Sequence, residues 1–136
     1  MTAYLNLGTN IGDRLFNLEQ AIALIEWLSG ERCRLSRVIE SEPWGFESPH
    51  PFLNVGVALR WDKDPLELLN ITQQAEEMMG STCHRDASGA YIDRLIDIDI
   101  IAIGDIRLNH PRLTLPHPRA HLRTFVTIPM RELNNN

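Results

Sequence analysis

The chain has 136 residues, 43% hydrophobic and 23% charged, which is the composition of one globular domain with a single core and excludes a disordered or fibrous chain. A formal net charge of −5 argues against a general nucleic-acid or anionic-membrane binder, because both call for a basic surface. The opening Met-Thr-Ala-Tyr-Leu-Asn-Leu has neither a basic flank nor a long apolar run, so no signal peptide or membrane span is expected and the cytoplasm is the expected compartment. Cys33 and Cys83 have no metal or redox spacing and read as reduced thiols.

Residues 2–7 alternate in character and predict a first strand, which enters the turn-rich Gly8-Thr9-Asn10-Ile11-Gly12. That turn lacks the lysine and third glycine of a phosphate loop. Asp13 then caps a helix in which Leu15, Leu18, Ile22, Ile25 and Leu28 recur at helical spacing until Gly30. Residues 33–41 predict a second strand. Pro43, Pro49 and Pro51 make the following stretch an irregular loop. In the third strand, residues 52–61, Leu53, Val55, Val57 and Leu59 share one face and Asn54 takes the other.

Asp64-Pro65 opens a second helix that runs to Met79 and stops at Gly80. Leu68, Ile71, Ala75 and Met78 form its expected buried stripe, while Gln73 and Glu76 share a polar flank. Residues 81–91 read as a loop that delivers the chain into a strand at residues 95–101. A short strand at 106–108 and a last helix at 124–132 follow, and residues 134–136 are expected to form a disordered tail. The order β-α-β-β-α-β predicts an α+β fold over residues 1–136, a ferredoxin-like sandwich with helices packed on an antiparallel sheet.

Chemistry concentrates in Leu95-Ile96-Asp97-Ile98-Asp99-Ile100-Ile101, where two carboxylates interrupt an aliphatic strand. Alternation puts Asp97 and Asp99 on one face, with Cα atoms roughly 6.5 Å apart, and Ile96, Ile98 and Ile100 on the other. Paired like charges on a half-buried surface are unfavourable unless a cation lies between them, and hard oxygen donors point to Mg²⁺ rather than zinc. Twelve of the 13 basic residues are arginine, and seven of those lie from Arg85 onward beside His84, His110, His117 and His121. Arginine suits planar, bidentate phosphate recognition, so a nucleoside triphosphate with Mg²⁺ is the expected substrate class.

Four segments in order carry a resemblance. They are Leu-Gly-Thr-Asn near the start, Glu-Pro-Trp-Gly-Phe with Phe-Leu-Asn in the middle, Arg94-Leu-Ile-Asp97-Ile-Asp99-Ile, and Leu115-Pro-His117-Pro-Arg119-Ala-His121-Leu-Arg123-Thr-Phe125. Over nearly its whole length the chain resembles the 6-hydroxymethyl-7,8-dihydropterin pyrophosphokinases of folate biosynthesis. The resemblance implies a monomer that transfers the β,γ-pyrophosphoryl group of ATP to a reduced pterin and releases AMP. It implies two Mg²⁺ ions on Asp97 and Asp99, ATP-phosphate contacts from Arg94, Arg112, His117 and Arg123, and Gln73, Glu76, Ile100 and Thr114 near the nucleotide. On the pterin side it implies pairing by Asn54, a slot lined by Pro43, Trp44 and Gly45, and stacking by Phe125 and Phe52.

The chain departs from the family after its second helix. Gly80-Ser-Thr-Cys-His84-Arg85 and Tyr91-Ile-Asp-Arg94 stand where the family has Gly-Arg-x-Arg and Trp-Gly-Pro-Arg. Arg85 is assigned in place of one missing loop arginine, and Tyr91 in place of the tryptophan. The expected catalytic set is therefore Arg85, Arg94, Asp97 and Asp99. Two alternatives accompany this reading: a relative that binds pterin and nucleotide without turnover, and a metal-dependent phosphohydrolase.

Overall fold

The fold is taken from a computed structural model of the chain, which describes residues 1–41, 51–80 and 95–134. Three strands give it its centre: β1 (Thr2–Thr9), β4 (Phe52–Arg60) and β5 (Asp97–Ile103). Their alternation sends Leu5 and Leu7, then Val55, Val57 and Leu59, then Ile98, Ile100 and Ile103 to one side of the sheet, where all are buried. Two helices close that side, α1 (Arg14–Ser29) through Leu18, Ala21 and Ile25, and α2 (Pro65–Met78) through Leu68 and Ala75.

Both helices begin as their sequences require. The Asp13 carboxylate accepts the Phe16 N–H and the Asp64 carboxylate accepts the Leu66 N–H, while α1 ends at Gly30 with a left-handed φ of 73°. The turn between β1 and α1 is tied down by Asn17, whose amide donates to the Ile11 carbonyl at 2.9 Å and to Thr9 Oγ1 at 3.3 Å. Reading it as a structural turn therefore fits its bonding.

Every pairing in the main sheet is antiparallel; β2 (Arg34–Leu35) and β3 (Ile39–Ser41) both lie on β4, and the order is β2-β4-β1-β5. The strand expected over residues 33–41 is broken into β2 (Arg34–Leu35) and β3 (Ile39–Ser41). Ser36 causes the break: its hydroxyl accepts the Gly56 N–H at 2.8 Å, so a side chain does the work of a ladder carbonyl. The short strand expected at 106–108 is shifted, forming a hairpin of β6 (Leu108–His110) and β7 (Leu113–Leu115) joined by Pro111-Arg112. Met78, expected in the buried stripe, is 51% exposed, whereas Glu76 on the adjacent flank is buried.

Among the described residues, α3 (Thr124–Asn134) packs on the other side of the sheet. Gly56 makes this close packing possible, since a Cβ there would stand 2.6 Å from Cβ of Pro129. The helix includes Asn134, assigned to the tail by sequence, whose side chain accepts a hydrogen bond from the Tyr4 hydroxyl. Among the described residues no helix is long and apolar enough to cross a membrane.

Candidate active site

The part of that second face beyond α3 carries polar residues. Register places Gly8 opposite both Asn54 of β4 and Asp97 of β5, and the next row sets Asn6 opposite both Gly56 and Asp99. Cross-strand partners share a face, so the amide of Asn54 and the carboxylate of Asp97 flank a position with no side chain. Asp97 and Asp99 are half-buried on this face while Ile96, Ile98 and Ile100 are buried on the core side, as the period of two predicts.

A bulge then re-aims β5. Leu5 pairs with Ile100 but Tyr4 with Ala102, which leaves Ile101 as an extra residue out of the ladder. Its carbonyl accepts the backbone N–H of His117 at 2.8 Å, anchoring the segment after β7 beside the aspartates. His117 is thereby held where burial, first of all, and then Arg123 and Arg119 lower its pKa, against the opposing pull of Asp97. Its Nδ1 accepts the Arg119 N–H at 3.2 Å. A neutral ring that accepts at Nδ1 carries its proton on Nε2, which is then a donor for an anionic group.

Arg123 follows a single 3₁₀ turn, Ala120–Leu122, at the start of α3. Its guanidinium lies 3.8 Å from Asp99 and 5.7 Å from the centre of the Phe125 ring. The Arg112 guanidinium, in the hairpin turn, donates to Gln73 at 3.1 Å and to Asn70 at 2.8 Å. Sequence reasoning thus named Arg112 and Gln73 separately, and the fold brings them together. Asn70 was missed, although it precedes Gln73 by three positions on the same helix flank.

Glu76 serves β5 directly. Its buried carboxylate accepts the Ile98 N–H at 3.0 Å, a group on the outer edge of the sheet. Main-chain groups of residues two apart project the same way, so those of Ile100 lie on this edge too, while its side chain is only 4% exposed in the core. Any contact of Ile100 with a nucleotide is therefore made by its backbone. Thr114 is exposed on β7.

At the other end of the face, Asn54 is buried and donates one amide hydrogen to Ser41 Oγ at 2.7 Å. Phe52 is partly buried beside Gly8, and Phe125 is partly buried against Ile101, Ala120 and Val126. Pro43, Trp44, Gly45, Arg85, Tyr91 and Arg94, all singled out in the sequence, lie outside the described residues.

The groups on this face suit a cation. Among the described residues no three His, Cys, Asp or Glu side chains converge, so the seat offers two carboxylates, with one buried amide oxygen at Asn6 that has no hydrogen-bond partner. That set fits Mg²⁺, which takes one or two protein carboxylates and completes its shell with water and phosphate oxygens. Arginine and a neutral histidine beside it suit the phosphates themselves.

A face arranged in this way can take a phosphate ester beside a divalent cation. Similarity to known proteins is more specific. The family model for 7,8-dihydro-6-hydroxymethylpterin-pyrophosphokinase (HPPK) matches residues 4–135. The 2-amino-4-hydroxy-6-hydroxymethyldihydropteridine pyrophosphokinase of Porphyromonas gingivalis is 45% identical over 131 residues, covering 96% of this chain and 88% of the relative. The protein of the same name from Bacillus subtilis is 36% identical over 132 residues, covering 96% and 77%. A crystal structure of HPPK-DHPS in complex with substrates superimposes with a TM-score of 0.60 at 15% identity, over 93% of this chain and 39% of that one, a likeness of fold. The chain belongs to the HPPK family.

Proposed function

We propose that the chain transfers the β,γ-pyrophosphoryl group of ATP to the hydroxymethyl oxygen of 6-hydroxymethyl-7,8-dihydropterin, giving AMP and the pterin diphosphate in folate biosynthesis. Membership of the HPPK family and the named relatives support this activity. The observation that supports carrying it into this chain is the row Asn54, Gly8, Asp97, an amide and a carboxylate on either side of a position with no side chain.

Asp97 and Asp99 would hold two Mg²⁺ ions, which when bound supply charge neutralisation across the triphosphate and a fixed orientation of its β-phosphorus. Arg112, Arg123 and the Nε2–H of His117 bind phosphate oxygens, and Arg94 is assigned with them. Gln73, Glu76, Ile100 and Thr114 place the nucleotide, Glu76 by fixing the strand edge that Ile100 presents. On the acceptor side, Asn54 offers its remaining amide hydrogen and its oxygen to the pterin edge. Phe52 and Phe125 enclose the flat ring, and Pro43, Trp44 and Gly45 complete the slot. Arg85 and Arg94 act on the transferring group. Positioning of two substrates against each other then supplies most of the acceleration.

The strand order β2-β4-β1-β5, with β2 and β3 counted as one broken edge, supports the ferredoxin-like reading of the α+β fold. We read residues 1–136 as one domain acting as a cytoplasmic monomer, and its acidic charge argues against a nucleic-acid or anionic-membrane partner. Product analysis after mixing protein, Mg²⁺, ATP and the reduced pterin tests the activity. AMP and pterin diphosphate should form together and only when pterin is present. Nucleotide binding without AMP would mark an inactive relative, and phosphate release without pterin a hydrolase.

A further inference from the structure

Asn6 occupies the middle strand of the site face, with Asp99 as its partner on one side and Gly56 on the other. Its residue surface is 4% exposed, and its buried amide oxygen has no hydrogen-bond partner among the described residues. A buried acceptor without a donor is unfavourable and uncommon in folded proteins. The neighbours on this face do not relieve it. Gly8 and Gly56 have no side chains, ionised Asp97 and Asp99 only accept, and the Tyr4 hydroxyl is committed to Asn134. Among the described residues neither the Arg123 guanidinium, 3.8 Å from Asp99, nor any other group donates to this oxygen, which leaves it to a donor that arrives with a ligand beside Asp99.

We propose that Asn6 is a positioning residue of the cation seat, its amide oxygen accepting a hydrogen bond from water bound to the Mg²⁺ on Asp99. This rests on the reading of Asp97 and Asp99 as the metal carboxylates. Mg²⁺ gives up its water reluctantly, and its retained waters need acceptors. Asn6 supplies one from a rigid central strand, where the oxygen is fixed by the backbone and not by a mobile loop. Outer-shell partners of this kind typically change metal affinity by about 10- to 100-fold when removed.

Binding of Mn²⁺, followed by the loss of its free electron-spin resonance signal in the presence of α,β-methylene-ATP, reads the proposal without turnover. Asn6→Ala should weaken Mn²⁺ binding about tenfold. Its thermal midpoint should not fall, since the substitution removes an unpaired acceptor; if that variant does not fold, Asn6→Leu, of similar size, replaces it. Asn6→Asp keeps acceptor oxygens, loses the amide donor and adds a negative charge beside Asp99, so it should bind Mn²⁺ at least as tightly as the unaltered protein. Weakening in Asn6→Asp equal to that in Asn6→Ala would overturn the proposal, because the amide would then act by donating to Asp99. Unchanged affinity in Asn6→Ala overturns it as well, including the case in which only the Michaelis constant for pterin rises. Asp99→Asn separates the two levels of the argument. If it leaves Mn²⁺ affinity unchanged the metal assignment itself is wrong; if it weakens binding while Asn6→Ala does not, only the role of Asn6 is.

Discussion

A methyl group placed on Gly8 would stand 3.0 Å from Oδ1 of Asn54 and 3.3 Å from the Phe52 ring. Glycine at this point leaves room between Asn54 and Asp97, the residues proposed to meet the pterin and the cation. Gly8→Ala forces Asn54 or Phe52 to shift by a few tenths of an ångström. We expect a rise of about tenfold in the Michaelis constant for pterin, with that for ATP changed much less, because the displaced groups are on the pterin side. Steady-state kinetics with each substrate varied in turn checks this, and an equal effect on both would remove Asn54 and Phe52 from the pterin slot.

Glu76 ties α2 to the outer edge of β5 through the Ile98 N–H. Replacing it by alanine leaves a buried N–H without its acceptor and should cost about 1–3 kcal/mol, whereas Glu76→Gln keeps an acceptor and should cost less. Urea denaturation measures both. Equal losses in the two variants would mean that the carboxylate charge, not the hydrogen bond, matters at this edge.

His117 titrates below its usual value of 6.5, chiefly because it is buried and secondarily because Arg123 and Arg119 face it. The sign follows from proton counting. Below the unfolded value the unfolded chain takes up a proton that the folded chain resists, so this contribution to stability is intact above 6.5 and is lost as the pH falls through the folded value. Between about pH 7.5 and about pH 5.5 the wild type should thus lose more stability than His117→Gln, which cannot titrate. Denaturant midpoints for both proteins at the two pH values test it, and parallel losses would contradict the assignment. Protonation would also break the bond from Arg119 N–H to Nδ1, so phosphate binding should shift over the same range.

Gly56 is where α3 comes nearest the sheet. Gly56→Ala would overlap Pro129 at 2.6 Å and press on Leu133 and Ser36, both at 3.3 Å, so α3 must move outward. Overpacking of this kind costs about 1–3 kcal/mol. Because Arg123 and Phe125 are carried at the start of the same helix, activity should fall along with the melting temperature. Full activity in a destabilised variant would mean that α3 does not position them.

Much of this arrangement was legible in local chemistry. Asp13, Asp64 and Gly30 announced the helix ends, and the period of two put Asp97 and Asp99 on the face opposite Ile98 and Ile100. The features that were not legible depend on distant partners or on a single extra residue. Ile101 bulges, yet it is one more aliphatic residue in an aliphatic run, so nothing in the sequence marks the break in alternation. The capture of Ile98 N–H by Glu76 spans 22 positions and looks, from α2 alone, like a solvated flank. Ser36 splits the second strand because of where Gly56 lies, and Asn6 read simply as one polar position in an alternating strand. The β6 and β7 hairpin was not read either, because its two strands are only three residues each.

The Asp97 and Asp99 pair would hold the cation that neutralises the triphosphate when pyrophosphoryl transfer takes place. The most direct measurement is the Mg²⁺-dependent rate of pterin-coupled AMP formation by Asp97→Ala, taken with its melting temperature. Removing one of two crowded carboxylates relieves their repulsion in the metal-free protein, so the melting temperature should hold or rise while the rate falls by about a thousandfold or more. A rate within a few fold of wild type would contradict the account.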